Sequence, residues 1–405
     1  MTHFRHTRLT AVLWAVALSI LLLGGCGQGQ RYSIEREDLW TFRIGRLEDQ
    51  LDLYNLQSER SGQRTALTMR DGLFYIANGA GGKILRYNSY GDILFMIYNE
   101  ETNPAPITLK PKTGSASATR WSIAWPLQEP GAITTDSQKN MYVADKLPQA
   151  RQVYDTEERV LLSYSVLRFD IDGNFSEYLG QEGPGGRPFP FIDNIYISRN
   201  DELAVICRLP RGMVVYWFAS NGQLLYTVKI RNDMLPLPQA RDGLKAVLNG
   251  VAVAPDTRSV YLKIDYYREI HDQTTQTISG MEPDGAVLWT MDAETGEYRA
   301  GVDIPFYERV ITVNNRRGTE NLLYSMFGAM NGALVFLYIP VESGFSLLIL
   351  DAASGQEKAH GFIRVENAEL QFFAFDVSAD GILSAILASQ YEAKLVWWRT
   401  DHLLK

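Results

Sequence analysis

The sequence predicts an all-β chain built as a β-propeller, with six blades of four antiparallel strands each. Three observations carry this. A strand–tight turn–strand unit recurs along the chain. A second hairpin follows every copy but the last. Few windows keep the 3.6-residue period of an amphipathic helix.

The first hairpin has six copies. TMRDGLFYIAN turns at Asp71-Gly72, TTDSQKNMYVAD near Lys139-Asn140, and YISRNDELAVIC at Asn200-Asp201. AVAPDTRSVYLKI turns at Asp256 to Ser259, FGAMNGALVFLYI at Asn331-Gly332, and DVSADGILSAILA at Asp380-Gly381. Asn-Gly and Asp-Gly supply the positive φ that two-residue hairpins require, and the flanks are rich in Val, Tyr, Ile and Phe. The second hairpin has five copies, RYNSYGDIL, RFDIDGNFS, YWFASNGQLL, TMDAETGEYR and LILDAASGQEK, with glycines at 91, 173, 222, 296 and 355. In four of them an Asp or Asn stands three or four residues before the glycine, placed to cap the turn.

A strand–turn–strand–loop–strand–turn–strand unit is a four-stranded meander, the blade of a propeller. The sixth unit ends on KLVWWRTDHLLK, one strand short. EDLWTFRIG, Glu37 to Gly45, is expected to supply that strand and so remove an exposed edge. Seven blades stay open if residues 99–130 hold a weak one, and RDGLKAVLNG, Arg241 to Gly250, is the expected short helix. A pair of β-sandwiches is the competing fold, disfavoured by the regularity of the units.

The best unit, PGAITTDSQKNMYVADK followed by VLRFDIDGNFSEYLG, resembles an NHL repeat. Gly131, Asp136, Asn140, Tyr142, Val143, Ala144, Asp145, Arg168, Phe169, Asp170 and Gly173 carry the match, and Lys139 replaces the usual turn glycine. The strong motif covers about 50 residues, and the other units match in outline. Coupled to the N-terminus described next, the chain resembles a spirochaete-type bacterial lipoprotein family with NHL-like repeats, a resemblance that implies the propeller but no reaction.

The N-terminus reads as an export signal. MTHFRHTRLT carries two arginines and no acid, AVLWAVALSILLL is an apolar run too short to span a bilayer comfortably, and LGGC follows at 23–26. Leu23-Gly24-Gly25-Cys26 resembles the lipobox, which implies cleavage before Cys26, lipidation of that cysteine (palmitate among the acyl groups), and a seat in the cell envelope on one bacterial membrane or another. The expected division is a signal peptide over 1–25, a lipidated Cys and polar tether over 26–36, and one propeller over 37–405. The second cysteine, Cys207, lies in the apolar run LAVICRL and is expected to be a buried strand residue.

The bulk numbers agree with a globular exported domain. Of 405 residues, 46 % are hydrophobic and 21 % charged, and the formal charge is −8. That sign argues against binding nucleic acid through phosphate neutralisation.

Catalytic signatures are sparse. Beyond the signal the histidines are His271, His360 and His402, none at metal-ligand spacing, and neither a nucleophile elbow nor a phosphate-cradling loop occurs. No cofactor is expected. DIDGN, Asp170 to Asn174, looks like part of a calcium loop but falls where each unit has its outer turn. Six-bladed propellers include calcium-dependent lactonases with polar residues converging on the central channel. The acidic candidates here are Asp145, Asp265 and Asp376.

The insertions hold more promise, because loops placed by a rigid scaffold carry function. The first, residues 99–130, holds Lys110, Lys112, Arg120, Trp121 and Trp125, whose rings could equally plug the loop onto the blades. RNDMLPLPQARDG sets two prolines among apolar residues. DYYREIHDQTTQTISGMEPDG holds Tyr266, Tyr267 and His271. The expected function is a lipid-anchored scaffold that binds an envelope protein or glycan. The alternative is a calcium-dependent, lactonase-like hydrolase working in the funnel.

Overall fold

The structure, a computed structural model, describes residues 32–54, 65–112, 120–239, 241, 243–272, 274–275, 277–299, 301–313, 316–366 and 370–404. Six sheets of four or more strands carry the fold. Blade one is Ala66–Arg70, Leu73–Asn78, Lys83–Asn88 and Ile93–Tyr98, and blade two is Ile133–Thr135, Met141–Lys146, Tyr164–Phe169 and Phe175–Gly180. Blade three is Ile192–Ile197, Leu203–Leu209, Gly212–Phe218 and Leu224–Arg231, and blade four is Lys245–Val253, Ser259–His271, Ile278–Asp292 and Val302–Ile304. Blade five is Ser325–Met330, Leu334–Val341, Gly344–Asp351 and Glu357–Arg364. Blade six is Phe372–Val377, Leu383–Ala388 and Glu392–Trp398, and its fourth strand is Arg36–Ile44, paired antiparallel with Glu392–Trp398. The N-terminal strand expected from EDLWTFRIG is therefore in place.

The strands read as near-continuous apolar runs because alternate side chains enter two different cores. In Leu73–Asn78, Phe74 and Ile76 pack against blade six, while Tyr75 and Ala77 pack against blade two. One buried cluster fills each of the six junctions between blades.

Hydrogen bonds also link all six junctions around the inner ring. Arg70 donates to the Thr135 carbonyl at 2.9 Å, joining blades one and two. The Ser137 amide donates to Asp201 at 2.8 Å, and the Arg199 amide to the Pro255 carbonyl at 2.6 Å. The Gly332 amide donates to Asp256 at 2.8 Å, the Asn331 amide to the Ala379 carbonyl at 3.0 Å, and the Met69 amide to Asp376 at 3.0 Å. The tight-turn residues thus do two jobs, reversing the chain and stapling one blade to the next.

The turn chemistry follows the sequence. Asp71, Lys139 and Asp201 take φ of 52°, 66° and 57°, so Lys139 holds the left-handed conformation for which glycine is the usual residue. Asp170 accepts the amides of Asp172 and Asn174 at 2.9 and 2.8 Å and the Asn174 side chain at 2.7 Å, which makes DIDGN an outer turn.

Three expectations change, and one alternative left open is settled. Arg241 to Gly250 is no helix: Lys245–Val253 is the innermost strand of blade four, because Ala246 and Leu248 turn inward while Lys245 and Val247 face out, a period of two that outweighs helix propensity. Residues 99–130 add no seventh blade among the described residues; Trp121–Ala124 and Lys110–Pro111 extend blade one in parallel beyond Ile93–Tyr98. The stretch after Asp265 is no loop but a continuation of two blade-four strands of 13 and 15 residues. Part of the expected tether is also strand, since Tyr32–Ile34 pairs in parallel with Glu357–Arg364 on the outer edge of blade five.

Candidate functional site

In an antiparallel meander the first and third turns of every blade lie on one face of the ring. The links between second and third strands, and between blades, lie on the other. The two faces are here called the turn face and the loop face. Every insertion falls on the loop face.

The inner strands surround a channel of about 980 Å³, lined among others by Thr68, Thr134, Asn194, Tyr196, Phe373 and Asp376. Inner strands turn an unpaired backbone edge toward this space. Asp376 caps one such edge, accepting from the Met69 amide at 3.0 Å and the Thr68 hydroxyl at 3.4 Å. Its burial pushes the carboxyl up to about 7 against those two donors. Nearby, Asn194 donates to the Tyr196 hydroxyl at 2.9 Å, and Arg208 grips Asp193 at 2.5 Å. Burial, with Asp193 and Asp376 close by, raises the Tyr196 phenol.

The other two acidic candidates sit elsewhere. Asp145 accepts the Glu129 amide at 2.8 Å and the Gln128 amide at 3.1 Å, so it anchors the end of the 99–130 connection; burial raises it to about 7. Asp265 is buried in the middle of blade four in an ion pair with Lys263. Among the described residues no three or more His, Cys, Asp or Glu side chains come together as a group that could hold a metal ion.

The loop residues singled out in the sequence fall into two groups. Trp121 stacks on Phe95 with centroids 5.7 Å apart and donates to the Asp172 carbonyl at 3.0 Å; Trp125 stacks on Phe175 at 4.3 Å. Lys112 donates to the Asp172 carbonyl at 3.0 Å, and Arg120 pairs with Asp92 at 2.6 Å. These four hold the insertion against blades one and two, while Lys110 is exposed. Tyr266 is fully buried, donating to the Pro236 carbonyl at 2.6 Å and accepting from Trp289 at 2.9 Å, so it braces the 232–244 link and offers no ring to a partner. Tyr267 is half-buried. Cys26 lies outside the described residues. Cys207 is fully buried, and burial raises its thiol, as a structural strand residue requires.

The sequence singled out two of these insertions, but for their aromatic residues and prolines and not for the exposed aliphatic side chains that the loop face presents. Met234 and Leu237 stand exposed on the link into blade four, Ile270, Ile278 and Met281 on its strand extension, and Val310 on the next link at 70 % exposure. Tyr154 and Leu161 stand on the hairpin Val153–Asp155/Val160–Leu162, again on the loop face. The turn face shows Tyr90 and Ile171. Pro236 and Pro238 beside Met234 and Leu237 were the signal available on that link, since proline keeps neighbouring apolar residues out of regular core strands.

No family model matches the chain, and no curated protein matches it either. Solved structures similar to it include the Dos1 propeller, at 13 % identity and a TM-score of 0.32 over 88 % of this chain and 69 % of that one. A second is the quinohemoprotein alcohol dehydrogenase from Comamonas testosteroni, at 13 % identity and a TM-score of 0.33 over 85 % of this chain. The match spans 61 % of that dehydrogenase. A third is a putative oxidoreductase (glucose dehydrogenase) from a Thermus species, at 11 % identity and a TM-score of 0.40 over 90 % and 100 %. The fold assignment rests on the strand topology above.

Proposed function

We propose that this chain is an envelope lipoprotein, anchored through Cys26, whose NHL-like propeller binds another envelope protein on its loop face. The carrying observation is the one-sided distribution of exposed large apolar side chains, gathered on the insertions of one face and sparse on the other. Ile270, Ile278 and Met281 lie together on the paired blade-four extension, and exposed apolar surface gathered in one place marks an interaction site. The lipobox and the polar start of the tether support the anchor.

The test compares proteins retained from detergent-solubilised envelope by the wild type, by the loop-face variant Ile278→Lys/Met281→Lys, and by the turn-face variant Tyr90→Lys. The same partner should be held by wild type and Tyr90→Lys and lost from the double variant. Equal retention by all three, or retention abolished by glycan digestion alone, would overturn the protein-binding reading. For the anchor, Cys26→Ser should lose lipid labelling and leave the membrane fraction.

A second reading has one observation behind it, the carboxyl of Asp376 facing the channel beside Thr68 and Tyr196. Hydrolysis there with calcium predicts a thermal shift on adding calcium that Asp376→Asn abolishes; no shift in the wild type would end it.

A further inference from the structure

We infer that the hairpin Tyr307–Val313/Arg316–Leu322, between blades four and five, is a strand-addition site where an extended segment of a partner protein joins as a third strand. This rests on the loop-face reading above and names the form its partner takes.

The hairpin runs seven in-register pairs from Tyr307↔Leu322 to Val313↔Arg316 without a register shift, and among the described residues it joins no other sheet. Each strand therefore keeps one edge whose backbone donors and acceptors meet no strand. A lone two-stranded ribbon is marginal in water, and a third strand is what stabilises it. Such an edge recruits extended chain through main-chain hydrogen bonds, with alternate side chains setting specificity.

Three other edges among the described residues are blunted. The outer strand of blade three carries Lys229 and Arg231, and Glu158 from the neighbouring hairpin reaches Lys229 at 2.6 Å across that edge. The blade-four extension is broken by register shifts at Tyr266/Tyr267 and Ile270/His271, and it contains Pro283. The blade-two hairpin is only three pairs long.

On the 307–322 ribbon, Arg309 and Glu320 bond each other across the strands at 2.5 Å, which leaves their charges spent on the ribbon's own pairing. Alternation places Glu308, Val310 and Thr312 on the opposite face with Arg317, Thr319 and Asn321. There Val310 is 70 % exposed, an apolar side chain at the middle of a polar strip. A strand added at the 307–313 edge covers it only if it brings an apolar residue to that level, and the exposed Glu308, on the same strand and face, favours a basic residue beside it. The occupant is therefore an extended protein segment with alternating apolar residues and at least one Lys or Arg. A helix would satisfy neither backbone edge.

The probe is a library of short random peptides displayed on phage, selected against the full chain in detergent. Selected peptides should alternate apolar residues and carry a Lys or Arg. By hydrogen exchange they should slow amides within 307–322 by about tenfold or more, and Val310→Lys should weaken them about tenfold while Val310→Ile keeps them. Circular dichroism checks that Val310→Lys retains the fold, and Thr312→Pro gives a second variant that removes a backbone donor without touching Val310. Peptides that leave those amides unchanged, or that are lost in Met281→Lys yet kept in Val310→Lys, would overturn the inference. So would protection of the same amides without peptide in a concentration-dependent dimer, which would make the occupant a second copy. If the double loop-face variant abolishes envelope capture while the ribbon never gains protection, docking on this face stands and strand addition falls.

Discussion

Replacing Asp145 with Asn tests how burial and hydrogen bonding balance on one carboxyl. Asp145 is 5 % exposed and accepts three contacts, Glu129 N at 2.8 Å and Gln128 N at 3.1 Å to each oxygen. Burial raises its pKa from 3.8 to about 7 although the amide donors pull it down. Three units correspond to about 4 kcal/mol at ~1.4 kcal/mol per unit, an upper bound that local relaxation brings to roughly 2. The folded carboxyl keeps its proton to higher pH than the unfolded one. Between about pH 4 and 7 the native state thus binds more protons, and this group's contribution to stability falls as pH rises through that window. Asn keeps an oxygen acceptor for both amides and does not titrate. Urea unfolding of wild type and Asp145→Asn from pH 4 to 8 should show a difference that moves in the variant's favour by about 2 kcal/mol up to pH 7 and then levels off. A variant that loses the same stability at pH 8 as at pH 4 would refute the reasoning, because the amide bonds would then outweigh burial and hold the carboxylate ionised throughout.

Further outcomes can be measured by the same unfolding assay. Trp125→Ala should cost about 2–3 kcal/mol, since the half-buried ring packs on Phe175 and Phe169. Glu202→Ala should cost about 2–3 kcal/mol at pH 7, because the carboxylate accepts the Trp217 indole at 2.8 Å and pairs with Arg258 at 2.6 Å across blades three and four; Arg258 holds its pKa below 4.5, so that cost should shrink as pH falls below the ordinary carboxylate range. Gly344→Ala should cost about 2 kcal/mol or more: φ is 150°, and an added Cβ would lie 2.0 Å from the Ile363 carbonyl oxygen.

The blade plan was legible because its punctuation is chemical. Gly91, Gly173, Gly222, Gly296 and Gly355 all take positive φ of 72–83°, and in four of the five an Asx residue stands three or four positions before the glycine. The strand from the N-terminus was legible because an incomplete last unit needs one. The inner strand of blade four was misread because Leu-Lys-Ala-Val-Leu has good helix formers and its alternation is short. The surface was harder, for a reason built into propellers. Alternate residues of each strand enter two cores, so an apolar run contains no mark of which side chains stay in water. Tyr266 and Met281 look equally eligible in the sequence, yet one braces a link under blade four and the other faces solvent. The seals between blades were equally hidden, since Asp376 and Met69 are 307 positions apart.

Arg36 pairs with Trp398, so the ring latches only when the two ends of the described chain meet. Closing so long a loop is among the costliest entropic steps in a fold, and it comes after five blades can already form from local hairpins. Refolding is therefore expected to pass through an open, C-shaped arc with a three-stranded last blade, whose bare edge is a template for aggregation until Arg36–Ile44 arrives. A chain held at its N-terminus before folding would have that strand restrained near its anchor, and would have to swing its C-terminal blade in to meet it.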